Sequence, residues 1–146
     1  RHGIRQYMKS SMVSDFSEKL VNEIVDMYRP NPMSNFFFMQ AGGAVARVGP
    51  TDTAFPYRSA HCNMMRWNKW FELESAEQKA ERIADVKTDW AVLEPYTHGF
   101  YVNLNDDNEK NTHANYGPNY GRLVEIKNQY DPGNLLRLNA NIRPTV

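Results

Sequence analysis

GFYVNLNDDNEK (residues 99–110) and NYGPNYGRLVEIKNQYDPGNLLRLNANIRP (residues 115–144) carry the most structured pattern in this 146-residue chain. Phe100, Val102 and Leu104 alternate with Tyr101 and Asn103. That period of two predicts a strand with one apolar face and one face bearing a phenol and an amide. A polar pair on the inner face of a sheet suggests a site wall. Asp106 to His113 reads as a solvated loop. Pro118 suits the first position of a helix, where its missing N–H costs nothing. Leu123, Ile126 and Tyr130 form a stripe on that helix, and Asp131-Pro132-Gly133-Asn134 stops it. Leu135, Leu136, Leu138 and Ile142 then fasten the tail.

Upstream, Arg1 to Ser11 reads as extended, and Ser14 to Tyr28 as a helix with a capping-box-like start at Asp15 and Glu18. Phe16, Leu20, Ile24 and Met27 supply its buried stripe, and Pro30 and Pro32 end it. The apolar run in Ser34 to Gln40 predicts a buried strand. Gly42-Gly43 then turns the chain into a returning strand over Ala44 to Val48, a hairpin. No GxGxxG accompanies the glycine pair, so it is no dinucleotide fingerprint. Pro50 to Arg58 is a loop, with Arg58 in a structural role. His61 to Phe71 is a long strand whose one face carries Cys62, Met64, Arg66, Asn68 and Trp70. Ser75 with Gln78 caps a helix that runs to Leu93, its stripe formed by Ala76, Ala80, Ile83, Val86 and Trp90. Strands with few intervening helices imply an α+β architecture: an antiparallel sheet with helices mainly on one face.

Composition narrows the function classes. Seventeen acidic and 17 basic residues leave no electrostatic footprint for nucleic acid or an anionic membrane. No apolar run approaches the roughly 20 residues of a spanning helix, and no signal-peptide pattern appears. Arg1 stands where a Met would begin a complete chain, so upstream residues are expected to precede it. The sequence does not distinguish a cytoplasmic from a secreted protein. One cysteine and four histidines make no metal-ligand spacing, and Cys62 reads as a small buried hydrophobe.

The motifs YVN, NYGPNYGRL and IKNQYDPGNLLRLNANIRP, with AGGAVARVGPTDTAFPYR (residues 41–58) upstream, resemble the C-terminal part of berberine-bridge-enzyme-like FAD-linked oxidoreductases. The resemblance implies that residues 1–98 are the C-terminal half of a substrate-binding domain. Residues 99–146 would be the berberine-like C-terminal segment. It also implies FAD held mainly by an upstream domain of the same protein, a small organic substrate oxidised by hydride transfer, and dioxygen as acceptor. The chain alone would then be inactive, with an exposed apolar patch inviting self-association.

By the same resemblance, Tyr101 is a catalytic and cofactor-contacting residue. Its phenol would take the hydroxyl proton or hold the oxygen in place. Asn103, Asn119 and Tyr120 would lie against the cofactor. Arg66 would occupy a catalytic position facing the flavin's reactive side. A guanidinium there cannot be a base, but it can clamp a carboxylate or stabilise negative charge; a sheet arginine paired with an acid is the alternative. Tyr57 stands where the family often has His, and Leu104 where it commonly has Tyr. Two other readings stay open: a stand-alone, non-catalytic binding or structural domain, and an unrelated α+β domain whose aromatics are only core.

Overall fold

The computed structural model describes residues 3–104, 112–138 and 140–146, without the side chain of Val102. Strand β1 (Ile4–Val13) leads into helix α1 (Glu18–Met27), strand β2 (Ser34–Gln40), strand β3 (Cys62–Phe71) and helix α2 (Ala76–Leu93). Helices α3 (Thr112–Tyr116) and α4 (Tyr120–Tyr130) follow. The three strands form one sheet in the order β1-β3-β2, with both neighbours antiparallel to β3. The α+β expectation holds: an antiparallel sheet with its two long helices on one side.

Parity along β3 divides the molecule. Its even-numbered residues face the helices. Cys62 and Met64 pack with Val13, Leu20, Trp90 and Leu93, and Trp70 packs with Tyr7 and Val86. Leu20, Val86 and Leu93 are wholly buried. Burying one such side chain contributes about 1.5–3 kcal/mol, which makes this layer the main source of stability. Burial also pushes the Cys62 thiol above its ordinary pKa, which disfavours the reactive thiolate. The odd-numbered residues face away, and at the Cys62 end they meet the 41–60 loop through Met12, Ala41, Ala60, Val45, Phe55 and Tyr57.

Arg66 belongs to the helix side of the sheet, where the expectation of a catalytic position meets the alternative of an arginine paired with an acid. Its Nε donates to Asp89 Oδ2 at 2.7 Å, and its Nη1 to Trp67 O at 2.7 Å and Asn68 Oδ1 at 3.0 Å. The guanidinium also lies over the Phe36 ring, 5.1 Å from its centroid. The paired-arginine alternative describes this geometry.

Several local expectations shift. Helix α1 is capped by Ser17, which accepts from the Leu20 N–H at 3.2 Å, not by Asp15. Phe16 therefore precedes the helix and packs edge-on against Phe38. Residues 45–47 form a 3-10 turn instead of a returning strand, and β2 pairs with β3. β2 is a half-exposed edge strand, with Phe37, Phe38 and Met39 between 40% and 47% exposed. The Ser75–Gln78 capping box forms as expected. The buried stripe of α2 starts only at Ile83, since Ala76 and Ala80 are exposed.

The predicted strand over 99–104 is absent. A single bridge joins His98 to Met12 at the free edge of β1, and the chain then enters a 3-10 turn at Val102–Leu104. Pro118 likewise sits in a 3-10 turn (Gly117–Asn119), and α4 starts at Tyr120.

The tail is fastened by polar bonds, not by its leucines. Leu135, Leu136 and Leu138 are 77–85% exposed. Asn128 instead exchanges two bonds with Thr145, at 2.9 and 2.8 Å. Asp131 accepts the N–H groups of Leu135 and Leu136, and an ion pair from Lys127 helps hold its carboxylate below the ordinary aspartate pKa.

Removing one member of a buried ion pair strands the other, whereas replacing both with apolar residues is close to neutral. Arg66→Ala should therefore destabilise the protein by about 3 kcal/mol, and Arg66→Met with Asp89→Leu should recover most of that. Urea unfolding of the three forms reads this directly. A loss below about 1 kcal/mol for Arg66→Ala would show the pair to be idle.

Candidate functional site

The site lies on the sheet face away from the helices. There Met12, Met39, Gln40, Ala41, Val45, Phe55, Arg58, Asn63 and Tyr101 line a cavity of about 370 Å³. Three pieces of chain build it. The register aligns Met12 and Met39 with Asn63 across the sheet, so all three share this face. The 41–60 loop folds back to add Ala41, Val45, Phe55 and Arg58. The segment after α2, held to β1 by the His98–Met12 bridge, adds Tyr101.

Arg58 organises the loop. Its Nε donates to Phe55 O at 3.1 Å and its Nη1 to Val45 O at 3.5 Å, while its Nη2 donates to Thr53 Oγ1. The guanidinium sits over the Phe55 ring at 5.1 Å. These bonds support the structural role read from the sequence, and they leave a cation at the cavity's edge.

Tyr57 fixes the third wall. Its hydroxyl donates to Ala114 O, and its ring meets His98 edge-on at 5.8 Å between centroids. Burial raises the phenol's pKa, so it stays a neutral donor. The ring fills the space beside Gly99: a Cβ there would lie 2.0 Å from Tyr57 Cζ, on a backbone with φ +63°. Only glycine combines that left-handed conformation with so close an approach. Tyr57 thus clamps the segment that carries Tyr101.

Tyr101 and Asn103 converge although the strand predicted to carry them is absent. Asn103 Nδ2 donates to Tyr101 Oη at 3.4 Å, and Phe55 packs edge-on against the Tyr101 ring. The 3-10 turn folds residue 103 back on 101, achieving by curvature what alternation was expected to do. Asn119 and Tyr120 lie elsewhere. Buried Asn119 donates to Pro50 O at 2.7 Å and Thr53 O at 3.0 Å, and Tyr120 tilts against His113. Asn119 thus ties α4 to the loop that Arg58 organises, and neither residue lines the cavity. Arg66, on the other side of the sheet, does not line it either.

The structure adds a residue that sequence reasoning left aside. Asn63 is 3% exposed; its Nδ2 reaches Met12 Sδ at 3.3 Å, and its Oδ1 has no partner. The available signal was an amide on the strand face alternating with Arg66. Nothing in the sequence told which face the helices would cover.

Gly99→Ala combines a left-handed alanine with a collision against a buried ring, so it should destabilise the protein by at least about 2 kcal/mol. Tyr57→Ala in the same chain should relieve the collision and recover part of the loss. Denaturant unfolding tests both, and a neutral Gly99→Ala would contradict this packing.

Residues 100–143 match the family model described as "Berberine and berberine like". The chain is 36% identical over 114 residues to the uncharacterized FAD-linked oxidoreductase YvdP of Bacillus subtilis (strain 168), covering 77% of this chain and 25% of that protein. It is 32% identical over 131 residues to YgaK of the same organism, another uncharacterized FAD-linked oxidoreductase, covering 88% of this chain and 28% of that protein. In fold it matches the structure of BBE-like #28 from Arabidopsis thaliana with a TM-score of 0.86 at 19% identity, over 100% of this chain and 35% of that one. The chain therefore spans about a quarter to a third of the length of these relatives. Its motifs, its fold and these matches agree: it belongs to the berberine-bridge-enzyme-like FAD-linked oxidoreductases.

Proposed function

We propose that this chain forms the substrate-facing part of an FAD-dependent oxidoreductase. In this reading residues 1–98 are the C-terminal half of the substrate-binding domain and residues 99–146 the berberine-like segment. The observation that carries the proposal is the Tyr101–Asn103 pair, hydrogen-bonded at the edge of a mostly apolar cavity. A half-buried phenol and an exposed carboxamide suit the rim of a flat, heteroatom-rich ring system, since together they offer donors and acceptors beside an aromatic wall. Asn119 suits that contact poorly. Its Nδ2 donates to two loop carbonyls, which makes it a positioning residue for the loop behind the cavity. Tyr120, tilted against His113, does not line the cavity.

Bound FAD would supply the two-electron acceptor for a hydride leaving a substrate carbon, with dioxygen as terminal oxidant. This chain's residues do the rest. Met12, Met39, Val45 and Phe55 surround the substrate's apolar body and exclude water. Tyr101 Oη donates a hydrogen bond to the substrate oxygen and holds it in place as that hydride departs. Asn103 fixes the phenol's orientation through its donated hydrogen bond. Arg66 has no step here, because the sheet lies between it and Tyr101.

The complete natural polypeptide should purify yellow and be bleached anaerobically by its substrate. Tyr101→Phe should keep the flavin and lower the rate of bleaching by about 10²-fold. A colourless complete protein would remove the flavoenzyme reading, and an unchanged rate in Tyr101→Phe would remove the phenol from the chemistry.

A further inference from the structure

Two thioethers wall the cavity, and they differ in what governs their oxidation. Met12 and Met39 both line it, on either side of Asn63. Met12 is 2% exposed, and its Sδ accepts from Asn63 Nδ2 at 3.3 Å, which engages a sulfur lone pair. Met39 stands on the edge strand β2 and is 40% exposed. The other five methionines offer less. Met8, Met64 and Met65 are at most 8% exposed, while Met27 and Met33 are half-buried and line no part of this cavity. The one thiol, Cys62, lies buried on the helix face, where burial keeps it protonated. An oxidant in the cavity therefore meets one well-exposed methionine.

The reading of the site given above supplies such an oxidant. Two electrons and two protons passed to dioxygen make hydrogen peroxide, released beside the place of the substrate. A thioether is soft and polarizable, and it reacts with peroxide without first losing a proton.

We propose that Met39 is an oxidative modification site, its thioether converted to the sulfoxide by hydrogen peroxide in the cavity. The sulfur lone pair attacks one peroxide oxygen and the O–O bond breaks. The departing hydroxide takes the proton of the transferred oxygen and leaves as water. Sulfur gives up two electrons and the peroxide gains them. The product sets a polar oxygen in a wall shared with Ala41, Val45 and Phe55, so the cavity becomes a poorer host for an apolar body. The source of the peroxide rests on the flavin reading; the reactivity of the sulfur does not.

The test uses the complete natural polypeptide and dilute hydrogen peroxide. Samples are quenched at intervals, digested and mapped by mass spectrometry. Met39 should gain one oxygen atom about tenfold or more faster than Met12, Met64 or Met65. A second sample is reduced with dithionite, freed of it without oxygen, and then exposed to air in the presence of catalase. Met39 should be oxidised there too, because peroxide formed in the cavity meets it before it meets the catalase. Met39→Leu, which removes the sulfur, should lose the fast phase of peroxide consumption. Should that variant fail to fold, the peptide map of the unmodified protein still decides. Oxidation of Met12, Met64 or Met65 as fast as Met39, or an unmodified Met39, would overturn the proposal. So would complete protection of Met39 by catalase in a yellow protein. A yellow protein whose Met39 resists added peroxide rejects this inference and keeps the flavin reading. A colourless protein whose Met39 reacts first does the reverse.

Discussion

The two-sidedness of β3 governs this molecule. Because successive side chains of a strand point to opposite faces, one ten-residue segment supplies both the main core and the floor of the cavity. Cys62, Met64 and Trp70 hold α1 and α2 in place, and Asn63 lies on the other face between Met12 and Met39. Antiparallel pairing on both sides fixes that assignment, since a slip of one residue would exchange the faces. The position of Arg66 follows from the same rule. It is three residues from Asn63, hence on the opposite face, and its charge is neutralised by Asp89 instead of meeting a ligand.

The cavity walls depend on this floor but are made by chain with little regular structure. The 41–60 loop has no strand to organise it, so Arg58 and Asn119 do so by donating to its carbonyls. Tyr57 then joins that loop to the segment around Gly99 and to α3. The wall bearing Tyr101 is thus supported by side chains remote from the cavity in sequence. That division, a rigid sheet beneath loops bearing function, is common where a scaffold must be stable and its site variable.

Much of this was legible in the sequence. The capping box at Ser75, the alternation of β3 and the stop at Asp131-Pro132-Gly133 are local signals, and local signals survive folding. The misread parts depended on partners distant in the chain. Residues 99–104 alternate like a strand, yet only His98 finds a pairing edge, so the alternation never becomes a ladder. Residues 44–48 look like half of a hairpin, but residues 45–47 curl into a 3-10 turn and β2 pairs with β3 alone among the described strands. The leucines of the tail carried the pattern of an anchor and stand in the open, because the bonds of Asn128 and Asp131 hold the backbone without them. Tyr101 and Asn103 lie together, and a tight turn instead of strand alternation brings them so. Asn63 lies on the strand face opposite Arg66, and no local signal tells which face the helices cover.

The contact between Tyr57 and Gly99 restricts how this scaffold can diverge. A phenol ring fills the volume where any other residue at 99 would place its Cβ, and the left-handed backbone excludes most alternatives anyway. Sequence change at these two places, 42 positions apart in the numbering, is therefore coupled: a bulkier residue at 99 requires a smaller ring or none at 57. A smaller side chain at 57 would leave room behind that segment, and with it latitude in how far residue 101 projects. A substitution outside the cavity would in this way retune its depth.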